Sequence, residues 1–247
     1  MTKITFLGTG GGRFVVINQL RATGGIVIEM DSEMIHIDPG PGTLVRAKQF
    51  GIKLRKLTAV LISHAHPDHY ADGEMVIEAM TVGAQKKKGI VIASNSVFES
   101  GKISKYHLDS VKKAISLKAG ESTMVGRIKI TSTPTKHSEP GGIGFVIEGS
   151  HRIGYTSDGE YFAGQENFFK GCDVLILNCL RPRDEIWPDH MDANQAKKLI
   201  TLTKPKLAIL NHFGMRMLKV AEREAAWITE QTGVKTIAAR DGQIFEI

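Results

Sequence analysis

Cysteine is scarce, with Cys172 and Cys179 the only two among 247 residues. Two cannot build a disulfide framework, and they lack paired metal-finger spacing, which points to a reducing compartment. Aromatic residues are also few, with two Trp and four Tyr, so a stacking platform for single-stranded nucleic acid is not evident. No uninterrupted apolar run approaches the roughly 20 residues that cross a bilayer. The opening run from Met1 to Gly8 enters a strand-like pattern without the basic, apolar and cleavage regions of a signal peptide. These absences predict a soluble, cytoplasmic protein with no membrane partner. No low-complexity tract, linker or internal repeat divides the chain. With 42% hydrophobic content it reads as one domain over 1–247 with a substantial core.

Acidic residues are outnumbered, 26 against 32 Lys and Arg, which leaves a formal charge of +6. Such a charge favours encounter with phosphate-bearing substrates. The densest run, Lys86 to Lys88, precedes a glycine and a new apolar strand, and reads as a solvated loop rather than a nucleic-acid patch.

Short β-rich runs bounded by Gly, Pro, Asn or Asp recur at 4–7, 25–30, 34–38, 57–63, 90–93, 128–133, 143–148, 153–156, 174–178, 207–211 and 243–247. Gly149 and Ser150 separate two of them closely enough for a hairpin. Helical patterns fall at 43–50, 70–82, 192–202 and 215–232. Asp192 and Gln195 read as a reciprocal capping pair at the start of the third, and Gly233 as the stop of the fourth. Many strands with interspersed helices predict a mixed α/β protein with two helix-covered sheets.

The apolar run Leu57 to Ser63 ends at His64-Ala65-His66-Pro67-Asp68-His69. In extended backbone His64 and His66 project to the same side, and Asp68 and His69 follow on a turn into a helix. Imidazole suits zinc and other first-row divalent ions, and a carboxylate completes such a site. Further ligand types stand just after other apolar strands: His137, Asp158 and His212. His36, His107 and His151 lack such neighbours and read as surface or hydrogen-bonded core residues, His36 on a sheet surface between Ile35 and Ile37. Gly8 to Gly12 fits neither a dinucleotide nor a P-loop fingerprint. It reads as a tight turn that lets backbone approach the site.

With Asp38 in Ile37-Asp38-Pro39-Gly40, Asp158 in Ser157-Asp158-Gly159 and His212 in Asn211-His212-Phe213, this pattern resembles the metallo-β-lactamase superfamily over nearly the whole chain. The resemblance implies a four-layer αββα sandwich with two divalent metal ions at one edge, zinc first and Mn, Fe or Ni as alternatives. It implies that His64, His66 and His137 hold one ion, that Asp68, His69 and His212 hold the other, and that Asp158 bridges them. Asp38 is implied to organise the metal loop without ligating. Such a pair of ions acidifies a bridging water to hydroxide and neutralises charge on the attacked group.

His190, ahead of the 192–202 helix, resembles the leaving-group histidine of the phosphodiesterase branch, which includes ribonuclease Z and the phosphoribosyl cyclic phosphodiesterase. Asp68 and His190 are thus the candidate catalytic residues, and Lys136, Asn178, Arg181 and Arg183 the candidate substrate contacts. The expected activity is hydrolysis of small or cyclic phosphodiesters or nucleic-acid ends, by a protein that the resemblance makes a homodimer. The alternatives are a lactone or thioester hydrolase and a non-catalytic RNA-binding subunit. Two features depart from the branch. Little more than one hairpin joins His137 to Asp158 where ribonuclease Z carries a long arm, and no cysteine-rich insertion follows Gly10.

Overall fold

In a computed structural model describing residues 1–247, the strands are β1 Lys3–Phe6, β2 Ile26–Met30, β3 Glu33–Ile37, β4 Ala59–Ile62, β5 Ile90–Ser94, β6 Lys113–Leu117, β7 Ser122–Val125, β8 Ile128–Pro134, β9 Ile143–Glu148, β10 Arg152–Tyr155, β11 Val174–Arg181, β12 Met191–Asp192, β13 Leu207–Asn211, β14 Thr236–Ala238 and β15 Ile244–Glu246. The helices are α1 Arg13–Asn18, α2 Thr43–Gln49, α3 Pro67–Tyr70, α4 Gly73–Thr81, α5 Asn95–Glu99, α6 Lys105–Ser110, α7 Glu166–Phe169, α8 Ala193–Thr203 and α9 Ala221–Thr232. One sheet runs β15-β1-β2-β3-β4-β5-β6 and the other β14-β13-β11-β10-β9-β8-β7, with β12 beside β11. No helix is long and apolar enough to cross a membrane.

Strand alternation produces the layers. Ala59 and Leu61 of β4 join Ile130, Phe145, Ile176 and Ile209 of the second sheet in the inner core, while Val60 and Ile62 pack outward with Val76, Ile77 and Met80 of α4. In β11, Ile176 points inward and Leu175 and Leu177 outward, against Leu199 and Ile200 of α8 and Ile228 of α9. Three apolar clusters therefore separate four layers, as expected for the αββα sandwich. Each buried Leu or Ile side chain contributes about 1.5–3 kcal/mol.

The strands that lead into Asp38, His64, Asp158 and His212 each have a parallel neighbour, β3 with β4 and β11 with β10 and β13, whereas β8, which leads into His137, is antiparallel to β9. The C-terminal ends of the parallel strands therefore open at a common edge.

Several local expectations change. β6 and β7, at the two sheet edges, are largely exposed and lack the bounded apolar runs that marked the other strands. The 70–82 helix begins only at Gly73 as α4, after the short α3 that ends at Tyr70, and the 215–232 helix begins only at Ala221, because Gly214 is tied to Leu180 O and Met217 folds back on Gly214 O. The capping pair is one-sided. Asp192 accepts from the Gln195 amide at 2.8 Å, but the Gln195 side chain accepts from Tyr161 N instead. Gly233 ends α9 at φ 70°, as expected, and the β9–β10 hairpin turns at Gly149–Ser150.

Candidate metal centre

β4 ends at Ile62, and the chain bends at Ala65 and His66, whose φ of −83° and ψ of 140° precede Pro67 at the first position of α3. Proline suits that position because its missing amide would be unpaired there anyway. This stretch brings His64 Nε2 to 3.1 Å from His66 Nδ1, and His137, following β8, places Nε2 3.2 Å from the same atom. Three nitrogens at this spacing match a tetrahedral ion, whose bonds of about 2.0–2.1 Å put its nitrogen ligands about 3.3 Å apart.

A second group forms beside the first. Asp68, His69 and His212 present ligand atoms within 4.8 Å of one another. His69 Nε2 and His212 Nε2 are buried and make no hydrogen bond, although Asp158 Oδ2 lies 3.4 and 3.1 Å from them. Buried polar nitrogens are rarely left orphaned, so their lone pairs fit a cation that both could ligate. Asp158 Oδ1 accepts from Asn178 Nδ2 at 2.7 Å, which turns Oδ2 toward the histidines. His64, His66, Asp68, His69, His137, Asp158 and His212 are thus brought together.

Asp38 organises this cluster from beneath. Its Oδ1 accepts from Ser63 N, and its Oδ2 accepts from Ser63 Oγ, His69 Nδ1 and Tyr155 OH, all within 2.7–2.8 Å. A carboxylate with four donors has little left for a metal. The proton it fixes on His69 Nδ1 leaves Nε2 free to ligate, the role of an outer carboxylate in metal sites. Sequence reasoning missed Ser63 and Tyr155, which stand at strand ends and look like ordinary core residues there.

Burial, helped by repulsion from His69, pushes the His64 imidazole well below its ordinary value and keeps it in the neutral, ligating form. For His69 burial opposes charge, but Asp158, Asp68 and Asp38 overcome it and raise its pKa. Burial likewise opposes ionisation of Asp158, yet His212 and His69 hold it well below the usual carboxylate range. Four non-glycine residues around the cluster adopt left-handed backbone: Asp38 at φ 53°, Ser157 at 59°, Asp189 at 64° and His212 at 61°. Strained conformations of this kind collect at functional sites.

The Gly8 to Gly12 turn lies against this edge. Gly11 donates to Phe213 O and Phe213 to Thr9 O, and a Cβ at Gly11 would overlap the His212 ring.

His190 stands at the rim, with Nε2 3.5 Å from Asp158 Oδ2 and its ring centroid 5.0 Å from that of His137. Burial works against its protonation, but contact with Asp158 prevails and raises its pKa. The candidate substrate contacts divide. Asn178 is 2% exposed, and its amide donates to Tyr155 OH and Asp158 Oδ1; the expectation that it touches substrate is corrected to a role in aiming Asp158. Arg183 is also corrected, since its guanidinium lies over Trp227 and 3.3 Å from the fully buried Glu224, on the helix side. Lys136 is exposed but pairs with Glu160 at 2.8 Å. Arg181 lies 4.5 Å over the Trp187 ring, with Nη1 3.8 Å from Glu185 and a buried Nε that makes no hydrogen bond.

The other histidines are bonded within the fold. His36 Nε2 donates to Gly24 O, His107 sits between Ser104 and Glu78, and His151 meets Thr2 Oγ1.

Comparison with known proteins agrees with this geometry. Residues 33–213 match the family model of the beta-lactamase superfamily domain. The protein MJ1374 of Methanocaldococcus jannaschii is 40% identical across 99% of this chain and 95% of its own length. The crystal structure of the metallo-beta-lactamase fold protein YhfI from Bacillus subtilis covers 100% of this chain and 99% of its own, with a TM-score of 0.84 at 22% identity. A diphosphatase of the PhnP family covers 100% of this chain and 97% of its own, with a TM-score of 0.75 at 20% identity. With its histidine and aspartate clusters at the shared edge of two sheets, the chain belongs to the metallo-β-lactamase superfamily and is a metal-dependent hydrolase of that fold.

Proposed function

We propose that the protein is a binuclear phosphodiesterase acting on small or cyclic phosphodiesters or nucleic-acid ends. The observation that carries this reading is His190, whose imidazole sits 3.5 Å from Asp158 beside the ligand cluster. His64, His66 and His137 would hold one divalent ion, Asp68, His69 and His212 the other, and Asp158 both. Ions bound there supply an acidified water as nucleophile and neutralise charge on the phosphate.

The chain's own groups do the rest. Asp158 is held as a carboxylate by His212 and His69, and His190 holds a proton at Nε2 that it can deliver to a departing alkoxide. Protonated, it also stabilises the non-bridging oxygens as their charge grows. Arg181, at the rim, offers donors in the planar arrangement that suits a phosphate.

The test is a substrate panel of phosphodiesters, cyclic nucleotides, RNA, lactones and thioesters, with metal content measured on the same sample. Phosphodiesters should be turned over fastest, and His190→Ala should lose about 100-fold or more in kcat at unchanged metal content. Lactones or thioesters outpacing phosphodiesters by orders of magnitude, or full activity in His190→Ala, would overturn the reading.

A further inference from the structure

One half-exposed aromatic side chain at the rim has no part in the reading above. Trp187 is 50% exposed and Ile186 beside it 78%. Trp187 and His190 form an antiparallel bridge across the turn at Pro188 and Asp189, with the His190 amide donating to Trp187 O at 3.3 Å. Residues directly opposite in such a bridge project from the same face, with Cβ atoms about 5 Å apart. His190 aims its ring at Asp158 and His137, so the indole stands beside it on the side of the metal centre.

The turn that carries both is clamped. Asp189 O accepts from His137 Nδ1 at 2.8 Å, and Asp189 N donates to Glu160, which Lys136 neutralises. The Arg181 guanidinium, itself 3.8 Å from Glu185, lies over one indole face at 4.5 Å. A large planar ring therefore stays half in water, held in place at the mouth of a site and backed by a cation.

We propose that Trp187, backed by Arg181, is a stacking subsite for a planar nucleobase carried by the substrate. The proposal rests on the phosphodiesterase reading and narrows it to nucleotide-like substrates. Indole and guanidinium planes favour a flat π-system over a sugar or an alkyl chain. Stacking of one base on an aromatic side chain corresponds to an affinity gain of about 10- to 100-fold.

The chain has only two tryptophans, so Trp227→Phe leaves Trp187 as the sole indole emitter. In that metal-loaded variant, AMP should quench the emission saturably, whereas ribose 5-phosphate at equal concentration should not. In the wild-type background, Trp187→Ala should raise KM for 2′,3′-cyclic AMP about 10-fold more than for a base-free cyclic ribose phosphodiester, and Trp187→Phe should restore most of the difference. Equal quenching by the two ligands, no quenching by AMP, or equal KM changes on the two substrates would overturn the subsite. Base-selective quenching without turnover of any phosphodiester would instead sink the phosphodiesterase reading and leave the subsite standing.

Discussion

His137 donates from Nδ1 to the carbonyl oxygen of Asp189 at 2.8 Å, while its Nε2 faces His66 Nδ1 at 3.2 Å. One ring thus offers a ligand atom to the metal centre and pins the turn that carries His190. The proton on Nδ1 is required, since a carbonyl only accepts, and it leaves the lone pair on Nε2.

This double duty separates His137 from the other histidines of its group. His137→Ala should free the 182–190 loop and expose the bond after Arg183 to trypsin, whereas His66→Ala should leave the turn clamped. We expect cleavage there to be several-fold faster in His137→Ala, read by mass spectrometry of limited digests. Equal rates in the two variants would show that the hydrogen bond does not hold the turn.

Metal content should follow the two ligand groups. About two ions per chain are expected, with His212→Ala losing about one of them while His64, His66 and His137 keep theirs, as measured by elemental analysis of dialysed protein. Chelation should lower Tm by about 5–10 °C for each ion removed where the free metal stood near 100 times its Kd. Retention of both ions by His212→Ala would remove that residue from the ligand set.

Gly11→Ala tests the close approach of the glycine turn. A methyl group there meets the His212 ring, so the ring must move although the core is untouched. The expected result is a loss of about 10-fold or more in metal affinity or activity, the size of effect seen when an outer-shell partner is removed. Stability toward urea measured on metal-free protein should stay within about 1 kcal/mol of wild type. A stability loss matching the activity loss would point to a folding defect instead.

Asp38→Asn turns an acceptor of four donors into a group that must itself donate. A buried network broken in this way costs about 3–5 kcal/mol, and His69 loses the partner that sets its tautomer. Metal affinity should fall about 10- to 100-fold, checked by competition with a chromophoric chelator.

His36 predicts a pH dependence of stability away from the metal centre. Burial lowers its pKa from the ordinary 6.5 to about 4, against the Gly24 hydrogen bond and Asp38, which raise it. As pH falls, the unfolded chain takes up this proton first. The stabilisation is therefore complete above about pH 6.5 and is lost as pH drops toward about 4, amounting to about 3 kcal/mol in all. Urea melts at pH 7.5 and 4.5 should show a smaller loss in His36→Gln than in wild type; identical losses would mean that His36 does not drive it.

Local pattern by itself determined the strongest part of the metal centre. His64 to His69 lie on one strand end and one helical turn, where backbone geometry alone aligns four ligand-type side chains. Alternation along β4 and β11 likewise made both sheets and their helix cover legible, because side-chain period depends only on local backbone. β6 and β7 were not legible, since largely exposed edge strands lack a continuous buried run.

Only the tertiary structure decided how His137, Asp158 and His212 meet that run, because their approach depends on sheet order and on turns held in left-handed backbone. It also decided which polar groups are available. Asn178, Arg183 and Lys136 found partners in distant segments, while Trp187 was left half-exposed beside His190. Side-chain type fixes what a residue can bond, but long-range packing determines which bonds are already made.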